Sequence, residues 1–182
     1  MSELLDREEI LELLELLSQL GARLHARGIQ AEVYVVGGTA MVLAYDRTRV
    51  TRDVDAVTDS QDLVEQEARS MAGTRPGLSP DWFNDRVRPL FSRTVDVERV
   101  EAFTAPGIPV SVASPRHMLA MKVRAARGQR DLEDIILLCR VLGLDSIAAV
   151  LTIADDVWGP GMLPDESVFA VSEGLRDRGF VD

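Results

Sequence analysis

The most restrictive feature of this chain is a pair of glycines at the end of a short apolar run, in the sequence VVGGTA at residues 35–40. A β-branched run that ends in two glycines predicts a strand that turns sharply into a helix, because glycine adopts backbone conformations that other residues avoid. The turn leaves amide N–H groups at the helix start open to an anion such as phosphate. We therefore expect Gly37 and Gly38 at a strand-to-helix junction, where Thr39 adds a hydroxyl donor.

A second motif, Asp53-Val54-Asp55, opens the next apolar stretch. Successive residues of a strand point to opposite faces, so two aspartates two positions apart share one face. A pair of fixed carboxylates suits Mg²⁺, which takes oxygen ligands and completes its coordination with waters and substrate phosphates. The sequence thus predicts a metal site at Asp53 and Asp55 for Mg²⁺, with Mn²⁺ as the alternative ion.

Three common phosphate or metal motifs are excluded by spacing. No Gly-Lys-Ser/Thr follows the glycines, so the chain has no P-loop, and the third glycine of the dinucleotide-binding pattern is missing. The aspartate motif lacks the later glycine and glutamate of an EF-hand. The glycines and the aspartates have to be interpreted together.

Lys122 is the only lysine in a chain whose other strong bases are all arginine. A lysine carries a compact charge on a flexible stem, which suits contact with a phosphate in a narrow site. The alternative is an ordinary lysine whose stem lies along an apolar helix face beside Met118, Leu119 and Val123. Both interpretations stay open from composition alone.

The two motifs, together with a later block, resemble a known superfamily. Gly37-Gly38-Thr39 followed by Asp53-Val54-Asp55 resembles the signature of polymerase-beta-like nucleotidyltransferases. The sequences SPRHMLAMKVRAAR (114–127) and RDLEDI (130–135) are similar to the helix-borne lysine and Arg-Asp-x-x-Asp helix start of the AbiEii/MenT-like bacterial group. The resemblance covers roughly residues 31–142.

The resemblance implies roles for individual residues. The residues expected to act in catalysis are Asp53, Asp55, Lys122 and Asp134. Those expected to bind the nucleotide are Gly37, Gly38, Thr39, Lys122 and Asp131. Asp131 and Asp134 lie three apart, so on a helix they share a face. Near a helix start they could instead complement the helix dipole, and no general base is assigned.

A third metal-binding carboxylate, usual in the wider superfamily, has no clear match here. Asp96 and Glu98 are the candidates, because they alternate to one face if residues 94–98 form a strand. Without such a ligand, the site would bind a second ion only together with the nucleotide.

The implied activity is a Mg²⁺-dependent nucleotidyltransferase that moves a nucleoside monophosphate from an NTP to a hydroxyl on tRNA or protein. Similar proteins are toxins of toxin–antitoxin pairs, so a cognate antitoxin is an expected partner. One alternative is a small-molecule transferase with an aminoglycoside-like acceptor, which the net charge of −10 would suit. The other is an inert nucleotide-binding or interaction module.

Charge and cysteine content limit the partners and the compartment. Nine basic and four acidic residues lie between positions 84 and 130, a block that could guide a nucleotide or an RNA end, or simply be a solvated surface. The acidic remainder disfavours long duplex nucleic acid. A single cysteine, Cys139, excludes a disulfide framework and predicts a buried thiol. With neither a signal peptide nor a membrane span in the sequence, we expect a cytoplasmic protein.

Hydrophobic periodicity predicts a mixed α/β (α+β) fold with a short mixed sheet flanked by helices. The resemblance implies that this is the nucleotidyltransferase fold. Residues 1–142 would form the nucleotidyltransferase domain, including a long leucine-rich N-terminal helix, and residues 143–182 a helical appendage packed on it. The predicted strands are 31–36, 54–57, 87–91, 95–103 and 108–112. The predicted helices are 3–27, 39–45, 61–71, one opened by Ser114 and Pro115, 132–142, 146–155 and 166–176.

Overall fold

The computed structural model of the chain describes residues 2–45, 53–92, 94–126 and 128–182, without the side chains of residues 2–9 and 90. These residues form two compact units. The first consists of Met1–Arg88 and Arg99–Val112, and the second of Pro89–Glu98 and Ala113–Asp182. The domain boundary predicted after residue 142 stays a prediction.

The first unit is built around a five-stranded mixed sheet. Its elements are α1 (Ser2–Ala26), β1 (Val33–Val35), α2 (Gly37–Ala40), a π-helical turn (Met41–Tyr45), β2 (Val54–Thr58), α3 (Gln61–Thr74), β3 (Phe83–Asn84), β4 (Val100–Ala105) and β5 (Ile108–Val112). The strand order is β3-β2-β1-β5-β4. Strand β1 runs antiparallel to β2 and parallel to β5. The predicted mixed sheet with flanking helices is confirmed.

The central strands of this sheet bury one face. Val35 pairs with Ala56 on one side and with Val112 on the other, and all three side chains are buried. Helix α1 packs against α3 and the β4–β5 hairpin, and α3 packs against β2 and β3. Tyr34 and Asp55 occupy alternate positions, half-buried, on the opposite face.

The leucine stripe of α1 belongs to the core of the first unit. Leu17, Leu20 and Leu24 are completely buried. At Gly21 the helix approaches the β4–β5 turn so closely that an added Cβ would lie 2.6 Å from the carbonyl oxygen of Pro106. Gly28 ends the helix with a φ of 71°, as the sequence predicts.

The second unit is helical. It contains α4 (Pro115–Ala125), α5 (Gln129–Leu142), α6 (Ile147–Trp158) and α7 (Asp165–Arg176). Helix α4 packs against the other three. Its start follows the predicted signals, because the Ser114 hydroxyl accepts a hydrogen bond from His117 N and Pro115 occupies the first turn.

Two predicted strands are wrong in whole or in part. Residues 87–91 contain a 3₁₀ turn at Arg88–Leu90 instead of a strand, and the strand in this region is β3. The proline at position 89 explains the failure, since it supplies no N–H for a sheet ladder. The strand predicted for residues 95–103 begins only at Val100.

Candidate functional site

The glycine turn joins β1 to α2 and lies directly beside Asp55. Gly37 has a φ of 66°, a left-handed conformation that L-residues with side chains rarely adopt. A Cβ on Gly37 would lie 3.0 Å from Asp55 Oδ2. Glycine at this position therefore serves both the turn and the space that the Asp55 carboxylate occupies.

Asp53 and Asp55, which we call the aspartate pair, lie at the start of β2. Asp55 lies within β2 and is half-buried. Asp53 lies one residue before β2 and is exposed. Val54 and Ala56 between and after them are completely buried. This alternation places both aspartates on the face away from the core, as predicted.

The main chain of the aspartate pair is fastened to the glycine turn. Val36 N donates a hydrogen bond to Asp55 O at 2.9 Å. The Thr39 hydroxyl donates to Asp53 O at 2.5 Å, and the Thr39 side chain is 1% exposed. The hydroxyl that the sequence suggests as a phosphate donor thus has a protein acceptor in this structure.

Asp96, the first candidate for a third metal ligand, is held by residues at the start of α4. It belongs to a loop of the second unit, where its Oδ2 accepts a hydrogen bond from Ser114 N at 2.8 Å. Its Oδ1 lies 3.2 Å from His117 Nδ1. Asp96 therefore fastens this loop to the start of α4. Glu98, the other candidate, is exposed and lies outside any strand.

The strands on either side of β2 carry no acidic residue: neither β1 (Val33–Val35) nor β3 (Phe83–Asn84) contains one. The polar neighbour is Asn84, which pairs with Asp55 across β2 and β3. Among the residues that the structure describes, no three His, Cys, Asp or Glu side chains are grouped to hold a metal ion.

The aspartate pair nevertheless fits a magnesium ion that is bound together with a nucleotide. Mg²⁺ is commonly held by one or two carboxylates, with waters and substrate phosphates as its other ligands. Two carboxylates on one face provide such a donor set, and the missing side chain at Gly37 leaves space beside one of them.

Lys122 and its two carboxylate partners form the second predicted group, which we call the lysine cluster. Lys122 Nζ lies 2.7 Å from Asp134 Oδ2 and 3.0 Å from Asp131 Oδ1. Asp134 is 1% exposed, and the Lys122 side chain is 15% exposed. Both aspartates of α5 that share a face thus contact the same ammonium group.

The lysine cluster is built by the facing helices α4 and α5. Helix α5 buries Asp134 on the same side as Ile135 and Leu138. A carboxylate at such a depth requires a charged or hydrogen-bonding partner, because desolvation of an uncompensated charge is costly. Lys122 supplies that partner, so its ammonium group has a structural function whether or not it also takes part in a reaction.

Four of the eight arginines in the basic block are paired with carboxylates of the chain. The pairs and their N–O distances are Arg86 with Asp81 at 2.5 Å, Arg88 with Asp85 at 2.8 Å, Arg99 with Glu32 at 3.4 Å and Arg116 with Asp156 at 3.1 Å. Arg124 stacks on the ring of Trp158 at 4.6 Å. Arg93 and Arg127 lie outside the described residues. These pairs reduce the positive field that the sequence alone indicates.

Trp82 and Cys139 are both core residues. Trp82 is 1% exposed, and its indole N–H donates to Ala68 O at 3.0 Å, so it is a core side chain. Cys139 is completely buried, and burial raises the pKa of its thiol to about 11. The buried thiol predicted at Cys139 is thus confirmed.

Asn84 pairs with Asp55 across β2 and β3 and was not predicted from the sequence. Its side-chain oxygen accepts a hydrogen bond from Arg86 N at 3.0 Å, and its amide group lies 3.3 Å from Asp81 O. The sequence WFND at residues 82–85 offers a weak signal, since a polar residue follows two large apolar ones. Only the strand pairing shows that it faces Asp55.

None of the described helices is long and apolar enough to span a lipid bilayer.

A family model described as "Nucleotidyltransferase of unknown function (DUF6036)" matches residues 11–160 of the chain. The match includes both the aspartate pair and the lysine cluster. No curated protein and no solved structure matches the chain.

Proposed function

The chain belongs to the DUF6036 family of nucleotidyltransferases, and from this we propose that it transfers a nucleoside monophosphate from an NTP to a hydroxyl acceptor. The observation that supports the proposal is the junction of the glycine turn with the aspartate pair. Gly37 leaves room for the Asp55 carboxylate, and the segment 36–39 holds the main chain of both aspartates.

In this proposal, Asp53 and Asp55 hold a Mg²⁺ ion, or Mn²⁺ in its place. The bound ion would neutralise charge on the triphosphate and on the departing pyrophosphate. The chain supplies two carboxylates on one face of β2, and the turn keeps their backbone in position before substrate arrives. Such preorganisation avoids the cost of arranging the ligands during the reaction.

We assign the phosphates of the nucleotide to the glycine turn. Gly37, Gly38 and Thr39 are the first residues of a helical segment that continues through Met41–Tyr45. The hydrogen bond from Ala40 N to Val36 O is the first along the helix, so the amide groups of residues 37–39 precede it. Main-chain N–H groups at such a position are donors suited to phosphate oxygens.

The proposed role of Lys122 rests on the resemblance to related transferases. Its ammonium group would offset negative charge on the pyrophosphate, while Asp131 and Asp134 fix its position. In the reaction, the acceptor oxygen forms a bond to the α-phosphorus and the bond from that phosphorus to pyrophosphate breaks. In this proposal Asp131 and Asp134 are positioning residues for Lys122.

We further propose an acceptor on tRNA or on a protein side chain, and membership of the AbiEii/MenT-like group. By that resemblance, the protein would act in the cytoplasm as the toxin of a pair, with a neighbouring antitoxin as its partner. The net charge of −10 of the chain disfavours long duplexes as substrates.

The test is transfer from each of the four α-labelled NTPs, with Mg²⁺, total RNA and protein extract, by the wild type and by Asp53→Asn. Label on RNA that depends on Asp53 would support a tRNA-directed enzyme, and label on protein would indicate modification of a side chain. Label on added aminoglycosides alone would favour the small-molecule alternative. Absence of any transfer would contradict the proposal of catalysis.

A second candidate function is a nucleotide-binding module without turnover. The lack of an acidic residue on the strands that flank β2 favours it, because superfamily enzymes usually hold their metals with three carboxylates. Nucleotide binding that requires Mg²⁺, without transfer to any acceptor, would support this candidate over the enzyme.

A further inference from the structure

Thr39 is a buried polar residue whose hydroxyl has one visible task. The residues that follow it, Ala40 and Met41, are completely buried, and Thr39 itself is 1% exposed. Its hydroxyl donates to the carbonyl oxygen of Asp53 at 2.5 Å across 14 residues of sequence. A hydroxyl has a single hydrogen to donate, so the donor function of Thr39 is used within the protein.

This bond completes a set of three that holds the main chain of residues 53–55. Asp53 O accepts from Thr39, Val54 N donates to Trp82 O at 2.6 Å, and Asp55 O accepts from Val36 N at 2.9 Å. Asp53 lies one residue before β2, so its carbonyl is held by a side chain rather than by a strand. The peptide after Asp53 is therefore held on both sides, at its N–H by Trp82 O and at its carbonyl by the Thr39 hydroxyl.

We propose that Thr39 is a positioning residue for Asp53 in metal binding, and that its hydroxyl is not a phosphate donor. The inference rests on the proposed function, because it presupposes that Asp53 binds a metal ion. The hydrogen bond holds the Asp53 carbonyl, next to the Cα from which the Asp53 side chain departs. Loss of the bond would let the carboxylate leave the geometry that it shares with Asp55.

The two roles predict different effects of removing the hydroxyl. A phosphate donor would contribute to NTP affinity even without a metal ion. A positioning residue contributes only when the metal is present, because its effect passes through the Asp53 carboxylate. Measurements of nucleotide affinity with and without metal therefore separate the two.

The test compares Thr39→Val, which keeps the shape and removes the hydroxyl, with Thr39→Ser, which keeps it. Mn²⁺ affinity is measured by electron paramagnetic resonance in the presence of a non-hydrolysable ATP analogue, and affinity for the analogue is measured separately without metal. We expect Thr39→Val to weaken Mn²⁺ binding about fivefold, the effect of one hydrogen bond. Thr39→Ser should stay within about twofold of the wild type, since its hydroxyl can make the same bond.

Thr39→Cys is a second variant in case Thr39→Val does not fold. Its thiol is a weak donor, so its Mn²⁺ affinity should lie between that of Thr39→Ser and that of Thr39→Val. Unchanged Mn²⁺ affinity in the variants without a hydroxyl would overturn the inference, as would a loss of metal-free analogue binding. If the wild type itself shows no Mn²⁺ binding that depends on Asp53, the proposed metal site fails first and the inference fails with it.

Discussion

The carboxylates of the aspartate pair and those of the lysine cluster differ in what holds them. Asp53 and Asp55 are tied through their main-chain carbonyl groups, on an exposed to half-buried face of the sheet. Asp131 and Asp134 are tied through carboxylate oxygens to Lys122, and Asp134 is buried. The main-chain ties hold the backbone from which the Asp53 and Asp55 side chains depart, whereas the ion pairs of the lysine cluster make its charged groups part of the fold.

This difference predicts that the two groups respond differently to mutation. Substitutions in the aspartate pair should affect activity and leave stability nearly unchanged. Substitutions in the lysine cluster should affect stability, whatever they do to activity. The same comparison shows why a motif match alone does not separate a catalytic residue from a structural one.

The largest expected effect is that of Asp53→Asn on nucleotide transfer. Removal of one metal-binding carboxylate costs several kcal/mol of transition-state stabilisation, so the rate should fall on the order of 100-fold or more. The melting temperature should stay close to that of the wild type, because Asp53 is exposed. Asp62→Asn, at an exposed acid in the first turn of α3, is the matched control and should retain activity. Retained transfer by Asp53→Asn would remove the aspartate pair from the mechanism.

The next effect is on the folding of the second unit. Lys122→Met leaves Asp134 buried without its ammonium partner, and breaking a buried ion pair typically costs about 3–5 kcal/mol. Chemical denaturation of the variant measures this loss. The triple variant Lys122→Met, Asp131→Asn and Asp134→Asn should recover much of the stability, because it removes the uncompensated charges. Full stability of Lys122→Met alone would show that the cluster is not structural.

Only part of this fold could be predicted from the sequence. The glycine turn and β2 were predictable because their signals are local: apolar alternation, two glycines and two aspartates at a fixed spacing. Asp96 was not, because the alternation in Thr94-Val95-Asp96-Val97-Glu98 imitates a strand. In the structure Val95 and Val97 are 77% and 86% exposed. The partner that fixes Asp96 is the backbone of Ser114, 18 residues away, which no periodicity indicates.

Electrostatics shows the same limit. A count of charges along the chain predicts a positive block, but the carboxylates that pair with Arg99 and Arg116 lie 67 and 40 residues away. The contacts of Lys122 were partly predictable, since the resemblance placed an aspartate-bearing helix after it. The double contact with Asp131 and Asp134 required the packing of α4 on α5.

A smaller effect is expected from substitution of Gly37, where glycine is required both by the left-handed backbone and by the nearby Asp55 carboxylate. Gly37→Ala and Gly28→Ala both place a side chain in a left-handed conformation, which costs roughly 1–2 kcal/mol. An added Cβ at Gly28 meets open space, whereas at Gly37 it approaches Asp55 Oδ2. Both variants should lose similar stability, and only Gly37→Ala should lose activity, by about tenfold or more. Equal activity of the two variants would contradict the proposed contact.

The smallest effect concerns Glu67, a structural carboxylate of the first unit. Burial alone would raise its pKa, but hydrogen bonds and charge attraction from Arg27 and Arg23 outweigh burial and hold the pKa below the usual 4.5. The resulting stability is present above pH 4.5 and is lost as the pH falls through the lowered pKa. Glu67→Gln should cost about 1 kcal/mol at pH 7 and flatten the acid limb of a stability profile. If stability falls with pH in the Glu67→Gln variant as it does in the wild type, the ion pairs of Glu67 with Arg23 and Arg27 are not the cause of the acid limb.

The central claim, that a metal ion binds at Asp53 and Asp55 together with a nucleotide, is tested most directly by paramagnetic broadening. Mn²⁺ is added to the ¹⁵N-labelled protein in the presence of a non-hydrolysable NTP analogue, with Asp53→Asn as the control. The account predicts that the amide signals of residues 37–39 and 53–55 fade first and that the control abolishes the effect. Broadening at other acidic surfaces, unchanged by Asp53→Asn, would contradict it.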